Sequence, residues 1–278
     1  MKKDFATKEL FFKYLKDNKS ILLAEKKATI KYADAVSYGC LSNLGVTKTG
    51  VTKGLSEIDA PELDKLKATI VINTTNLMDS HDDVHIQGLW KKTLSEQKTF
   101  YHIQEHCLKF ENVISDEVIA YTKSFNWSDF NQSFTGKTEA LIFESTISED
   151  RNEYMFEQYL KGRVKQHSVG MRYVQLFMCI NSDEKYYAEE KANWDKYITQ
   201  VANIDEVNEQ GFFWAVTEAK LVEGSAVVLG SNPITPTISI TEIVPSEDTQ
   251  NKTEPIKSLD KQLLKNELEK QFKNLKFN

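Results

Sequence analysis

Five runs of β-branched and aromatic residues, each closed off by polar turns, fall between residues 67 and 229, and they commit the middle of the chain to strands. The runs are "KATIVINTTN" (67–76), "EVIAYTKSF" (117–125), "TEALIFESTI" (138–147), "RVKQHSVGMRYVQLF" (163–177) and "GFFWAVTEAKLVEGSAVVL" (211–229). Between the third and fourth, "SEDRNEYMFEQYLKG" has the marks of a helix. Ser148 is an N-cap residue, Glu149 and Asp150 suit the first turn, Met155, Phe156, Tyr159 and Leu160 make one face, and Gly162 can end it. The expectation is an α+β fold in which strands dominate.

The flanks differ from this centre. Residues 5–17 set Phe5, Leu10, Phe11, Tyr14 and Leu15 near helical spacing, and the stretch on to Leu66 mixes short apolar runs with turns such as "VTKTGVTKG". Residues 181–210 are polar and acidic and read as an exposed insertion between strands. After Pro236, "VPSEDTQNKTEPIKS" reads as a linker. Ile256, Leu259, Leu263, Leu264, Leu268, Phe272 and Leu275 then mark an amphipathic helix with six Lys against one Asp and two Glu. It suits either packing on its own domain or docking to a partner. The divisions are therefore 1–66, an N-terminal segment read as a propeptide or accessory region; 67–245, the main domain; and 246–278, the linker and basic helix.

At 278 residues and 40% hydrophobic content the chain can bury a sizeable core. Its formal charge of −6 argues against a general nucleic-acid binder. No segment is apolar enough for a signal peptide or a membrane span, so the product reads as intracellular. Cys40, Cys107 and Cys179 are far apart and fit neither a disulfide framework nor a thiolate zinc site.

The chemistry concentrates in four places. In "GRVKQHSVGMRY" (162–173), two-residue alternation puts His167 with Val169, Met171 and Tyr173, and Ser168 with Gln166, Gly170 and Arg172. Ser168 thus faces the more polar side, beside a glycine that lets another backbone approach, and adjacent His167 cannot serve as its base. His102 and His106 lie in "HIQEH", which matches the HxxEH zinc-peptidase pattern if a helix forms there. The run "NLMDSHDDVHIQGLW" (76–90) holds His81 and His85 and reads as a hydrated acidic turn or a metal site. In "KLVEGSAVVLGSNP" (220–233), Glu223 interrupts an apolar strand; it suits a solvent-facing strand edge, or burial if something such as a histidine N–H pairs with it.

Four of these stretches, in this order, resemble the prohead (capsid maturation) proteases of tailed bacteriophages, serine peptidases related in fold to the herpesvirus assemblins. They are "NLMDSHDDVHIQGLWKKTL", "HIQEHCLKF", "HSVGMRY" and "LVEGSAVVLGSNP". The resemblance spans about 67–240 and departs from the family pattern at Cys107 and Gln87. It implies a barrel-like antiparallel core with surrounding helices, and a triad of Ser168 as nucleophile, His106 as base and Glu223 as the orienting carboxylate, with His102 the alternative base. Backbone N–H groups at Gly170, or Arg172, would hold the oxyanion, and no cofactor is required. Scaffold and major capsid proteins would be the substrates, cut inside the procapsid in the host cell cytoplasm, with self-cleavage; nucleic acid and membrane are not implied partners, and a homo-oligomer is compatible. A non-catalytic assembly protein of the same fold and an HxxEH zinc peptidase are the competing readings.

Overall fold

A computed structural model describes residues 5–31, 47–48, 64–230, 232 and 234–243. The chain divides into two compact units, 1–244 and 245–278; the second, with the expected linker and basic helix, lies outside the described residues.

The first unit is α+β, with more strand than helix. One sheet runs β1 (Thr47–Lys48), β10 (Thr237–Ile243), β2 (Lys65–Thr74), β7 (Lys137–Ser148), β6 (Val118–Asn126) in spatial order. The other is organised on β9 (Phe212–Val227). Along one side β9 pairs with β8 (Gln166–Ile180), antiparallel and nearly end to end. Along the other it pairs in parallel with β3 (Asp83–His85) and then with β4 (His102–Gln104), which carries β5 (Val113–Ser115). All five runs expected as strands are strands. The sheets do not close into a barrel, and the pairing is mixed rather than purely antiparallel. The reason is that β9 divides one side between two short strands, while among the described residues β8 has no strand on its outer side.

Apolar faces meet between the sheets. Ile70, Ile72, Leu141 and Phe143 from one pack with Val169, Met171, Tyr173 and Leu221 from the other. The sheets approach closely at Gly224, where a Cβ would lie 2.5 Å from Phe143 and 2.9 Å from Ile72. Here a glycine is required by space rather than by dihedral angle.

Two expectations are corrected. Residues 181–210 are not an exposed insertion: α5 (Ala188–Tyr197) and α6 (Ile204–Gln210) cover the outer face of the β9 sheet, where Trp194, Tyr197, Val201 and Val207 pack on Val84, Phe213 and Ala215. The many charges hid a sparse apolar stripe. The helix expected from Ser148 starts later, as α4 (Glu153–Leu160), because β7 runs through Ser148 and Asn152 caps Met155 N–H at 3.0 Å. Gly162, at φ +63°, does follow its end.

Part of the N-terminal segment packs with the main domain. The helices α1 (Lys8–Asp17) and α2 (Lys19–Ala28) belong to the main unit, with Phe12 and Leu15 in the shared core. Lys16 and Lys19 reach the fully buried Glu190 of α5 at 2.6 and 2.7 Å, so the carboxylate is compensated on both oxygens. Phe12→Ala is expected to cost about 3–5 kcal/mol, the range for deleting a buried phenyl ring, as a lower urea midpoint at constant m-value; a loss under 1 kcal/mol would mean the arm is not part of the cooperative unit.

Candidate active site

The site is built where β4 ends against β9. Gly224 N–H bonds to Tyr101 C=O and Glu105 N–H to Ala226 C=O, so the main-chain groups of Gly224 and Ala226 serve the β4 side. Ladder alternation turns those of Glu223 and Ser225 toward β8, opposite Gly170 and Ser168. Side chains directly opposite each other share a face. Ser168, Gly170, Glu223 and Ser225 therefore lie on one face, and His167, Val169 and Met171 turn to the intersheet core, as the alternation in the sequence predicts.

After Gln104 the chain reverses through Glu105 and His106, at φ +51° and +57°, and Cys107 N–H bonds back to Gln104 C=O at 3.0 Å. Two consecutive positive φ values closed by this bond define a type I′ turn, which neither residue favours. The turn swings the His106 ring over β9, where Nδ1 lies 2.7 Å from Glu223 Oε1. Because a carboxylate oxygen only accepts, Nδ1 carries a proton in this contact. The ring of contacts closes through Ser225: its hydroxyl donates to Glu223 Oε2 at 2.7 Å and accepts the His106 N–H at 3.0 Å.

Glu223 is buried and paired, so the solvent-facing reading of this residue is overturned. Its carboxylate lies where a side chain on β8 would otherwise be. A Cβ on Gly170 would sit 2.0 Å from Oε1. Gly170 thus makes room for the carboxylate, a role distinct from admitting a substrate strand.

Ser168 stands opposite Ser225, two residues along β8 from Gly170. It is only 1% exposed, and Oγ has no hydrogen-bond partner among the described residues, so the Ser168–His106 hydrogen bond is not formed in this state. Ser168 also borders a cavity of about 220 Å³ shared with Ile72, Asn73, His85 and Tyr173. Asn73 Oδ1 is a second buried atom there without a partner. Of the expected oxyanion donors, Gly170 N–H points into the ladder and Arg172 is exposed, opposite Lys220 past a bulge. The N–H of Val169, between Ser168 and Gly170, faces away from β9.

The other histidines go elsewhere. The HxxEH segment is strand and turn rather than helix, so His102 and His106 do not share a helix face and the zinc-peptidase reading loses its geometry. His102, His167 and Tyr159 form a buried chain of bonds. Thr235 C=O, 3.1 Å from His167 Nδ1, can only accept, which fixes every proton in turn. Tyr159 O–H then donates to His167 Nε2 at 2.9 Å, His102 Nε2–H donates to Tyr159 at 2.9 Å, and Ser145 O–H donates to His102 Nδ1 at 3.0 Å. His85 is likewise neutral, held by Asn73 at 3.0 Å and by Tyr173, whose hydroxyl donates to Asp83. Among the described residues no three His, Cys, Asp or Glu side chains gather as metal ligands.

Two outcomes follow. Gly170→Ala should displace Glu223 and cost about 1–3 kcal/mol by overpacking, whereas Glu105→Gly, which relieves a positive φ, should leave thermal stability equal or higher. Burial lowers His85 and His167 from 6.5 to about 4. The unfolded chain therefore takes up these protons first; the stabilisation is fully present above about pH 6.5 and is lost as pH falls toward 4, by about 3 kcal/mol per group. Urea midpoints that stay flat from pH 7 to 4.5 would contradict this. No family model, curated protein or solved structure matches the chain.

Proposed function

We propose that the chain is a serine endopeptidase with Ser168 as nucleophile, His106 as general base and acid, and Glu223 as the carboxylate that orients the imidazole. The observation that carries the reading is the 2.7 Å contact between His106 Nδ1 and the buried Glu223, on the same sheet face as an unpartnered serine hydroxyl. A neutral imidazole with its lone pair on Nε2 is the form a general base needs. In the reaction, Ser168 Oγ attacks the peptide carbonyl as its proton passes to His106. That proton leaves on the departing amine, the acyl group stays on Ser168, and water then releases it by the same route. Glu223 keeps the proton on Nδ1 and stabilises the imidazolium. Ser168 must turn to His106 as substrate binds, since catalytic hydrogen bonds tighten in the complex.

The order of motifs extends the reading to a prohead protease with an assemblin-like fold, acting on scaffold and major capsid proteins inside the procapsid of an infected cell. Ser168→Ala should abolish processing of a scaffold substrate, and Glu223→Gln should lower kcat about 10⁴-fold with folding intact. Processing that persists in Ser168→Ala, or that a chelator stops in the wild type, would overturn the triad.

A further inference from the structure

Ser225 is the second serine of the site: it stands opposite Ser168 across the β8–β9 ladder, is fully buried, and takes no part in the steps of the proposed reaction. Its hydroxyl is nevertheless committed as donor and as acceptor. A carboxylate oxygen only accepts, so the Ser225 proton lies on the 2.7 Å contact with Glu223 Oε2, and a lone pair takes the main-chain N–H of His106 at 3.0 Å. These two bonds restrain the freedoms that the 2.7 Å contact of His106 Nδ1 with Glu223 Oε1 leaves over. A carboxylate gripped by one oxygen still turns about its last side-chain torsion, which is soft. An imidazole gripped by its ring alone still moves with its backbone, and His106 sits at φ +57°, where a residue with a Cβ is under strain. One hydroxyl answers both, because Ser225 and Glu223 lie two apart in β9 and share a face.

We propose that Ser225 is a positioning residue of this site, whose hydroxyl fixes the Glu223 carboxylate and the His106 main chain together and so gives the imidazole a single orientation. The inference rests on the reading of Ser168, His106 and Glu223 as a triad, and Ser225 acts only through the last two. As the imidazole takes up the Ser168 proton, positive charge develops opposite Glu223 Oε1. A carboxylate whose other oxygen already has a donor is held against turning away, and the same bond favours its charged form, so the Nδ1 proton stays on the ring. Ser225→Ala removes that donor from a buried acceptor and, in the same stroke, unties the main chain of His106. Strand pairing does not need the hydroxyl, since the main-chain groups of Ser225 face β8 and remain in the variant.

The test compares the full-length wild type with Ser225→Ala in two readings. The first is the rate at which a small fluorophosphonate labels Ser168, followed by peptide mass; the bond from Ser168 Oγ to phosphorus forms as fluoride leaves and the serine proton passes to His106. The second is the low-field proton resonance of His106 Nδ1–H, assigned by its absence from His106→Ala. Ser225→Ala should slow labelling about tenfold, the lower end of what a hydrogen bond to a charged group is worth, and should shift the resonance. Both changes are required. A lower urea midpoint with either reading unchanged is the mark of a merely structural serine and overturns the inference while the triad stands. If the reagent does not label Ser168 in the wild type, the triad reading falls and this inference with it. Should Ser225→Ala fold poorly, Ser225→Cys decides by the same two readings, since a thiol is close in size and a far weaker donor; labelling at the wild-type rate in that variant overturns the inference.

Discussion

A buried carboxylate is the constraint to which the centre of this molecule answers. Glu223 lies in the middle of a strand that is covered on both faces, where an unpaired charge would cost several kcal/mol. Everything around it is arranged to meet that cost. Gly170 supplies the space, Ser225 one hydrogen bond, and His106 the other. The left-handed turn at Glu105 and His106 is itself unfavourable, by roughly 1–2 kcal/mol per residue, and persists because it delivers both the ring and the main-chain N–H of His106 to this group. Strain held in place by a buried polar cluster is the usual mark of a site rather than of a scaffold.

Much of this was legible in the sequence, and the parts that were not have physical reasons. All five strand runs were readable because β-branched and aromatic residues repeat with polar turns between them. The facing of Ser168 against His167 followed from alternation alone. The open sheets were not readable, since whether β8 gains a neighbour depends on pairing between distant segments. Residues 181–210 misled because solubilising charges outnumber the four side chains that pack, and Ser148 because a strand and a helix cap compete for it. Ser225 was visible as the second polar residue of "EGS" but gave no sign that it would join the backbone of His106 to Glu223. Its role arises only once β4 lies alongside β9.

Two polar clusters take up three of the five histidines. His102 and His167 are spent on a chain of neutral bonds through Tyr159, every donor of which has an acceptor. Such a network fixes how β4, α4 and β8 meet, because a half-satisfied version would be worse than an apolar core. His106, at 15% side-chain exposure, is the one of these rings in the two motifs with a path to solvent, and it is the one bonded to a carboxylate.

Gly224 gives this arrangement a mechanical side. It sits between Glu223 and Ser225, and its missing side chain lets Phe143 and Ile72 of the opposite sheet touch the β9 backbone. The three residues thus form a single lever: two arms reach up to the imidazole, and the fulcrum rests directly on the other sheet. Any change in the spacing of the two sheets rocks the carboxylate. The hydrophobic interior is therefore the bearing on which the polar site is aligned, and softening that interior should misalign the site well before the chain unfolds.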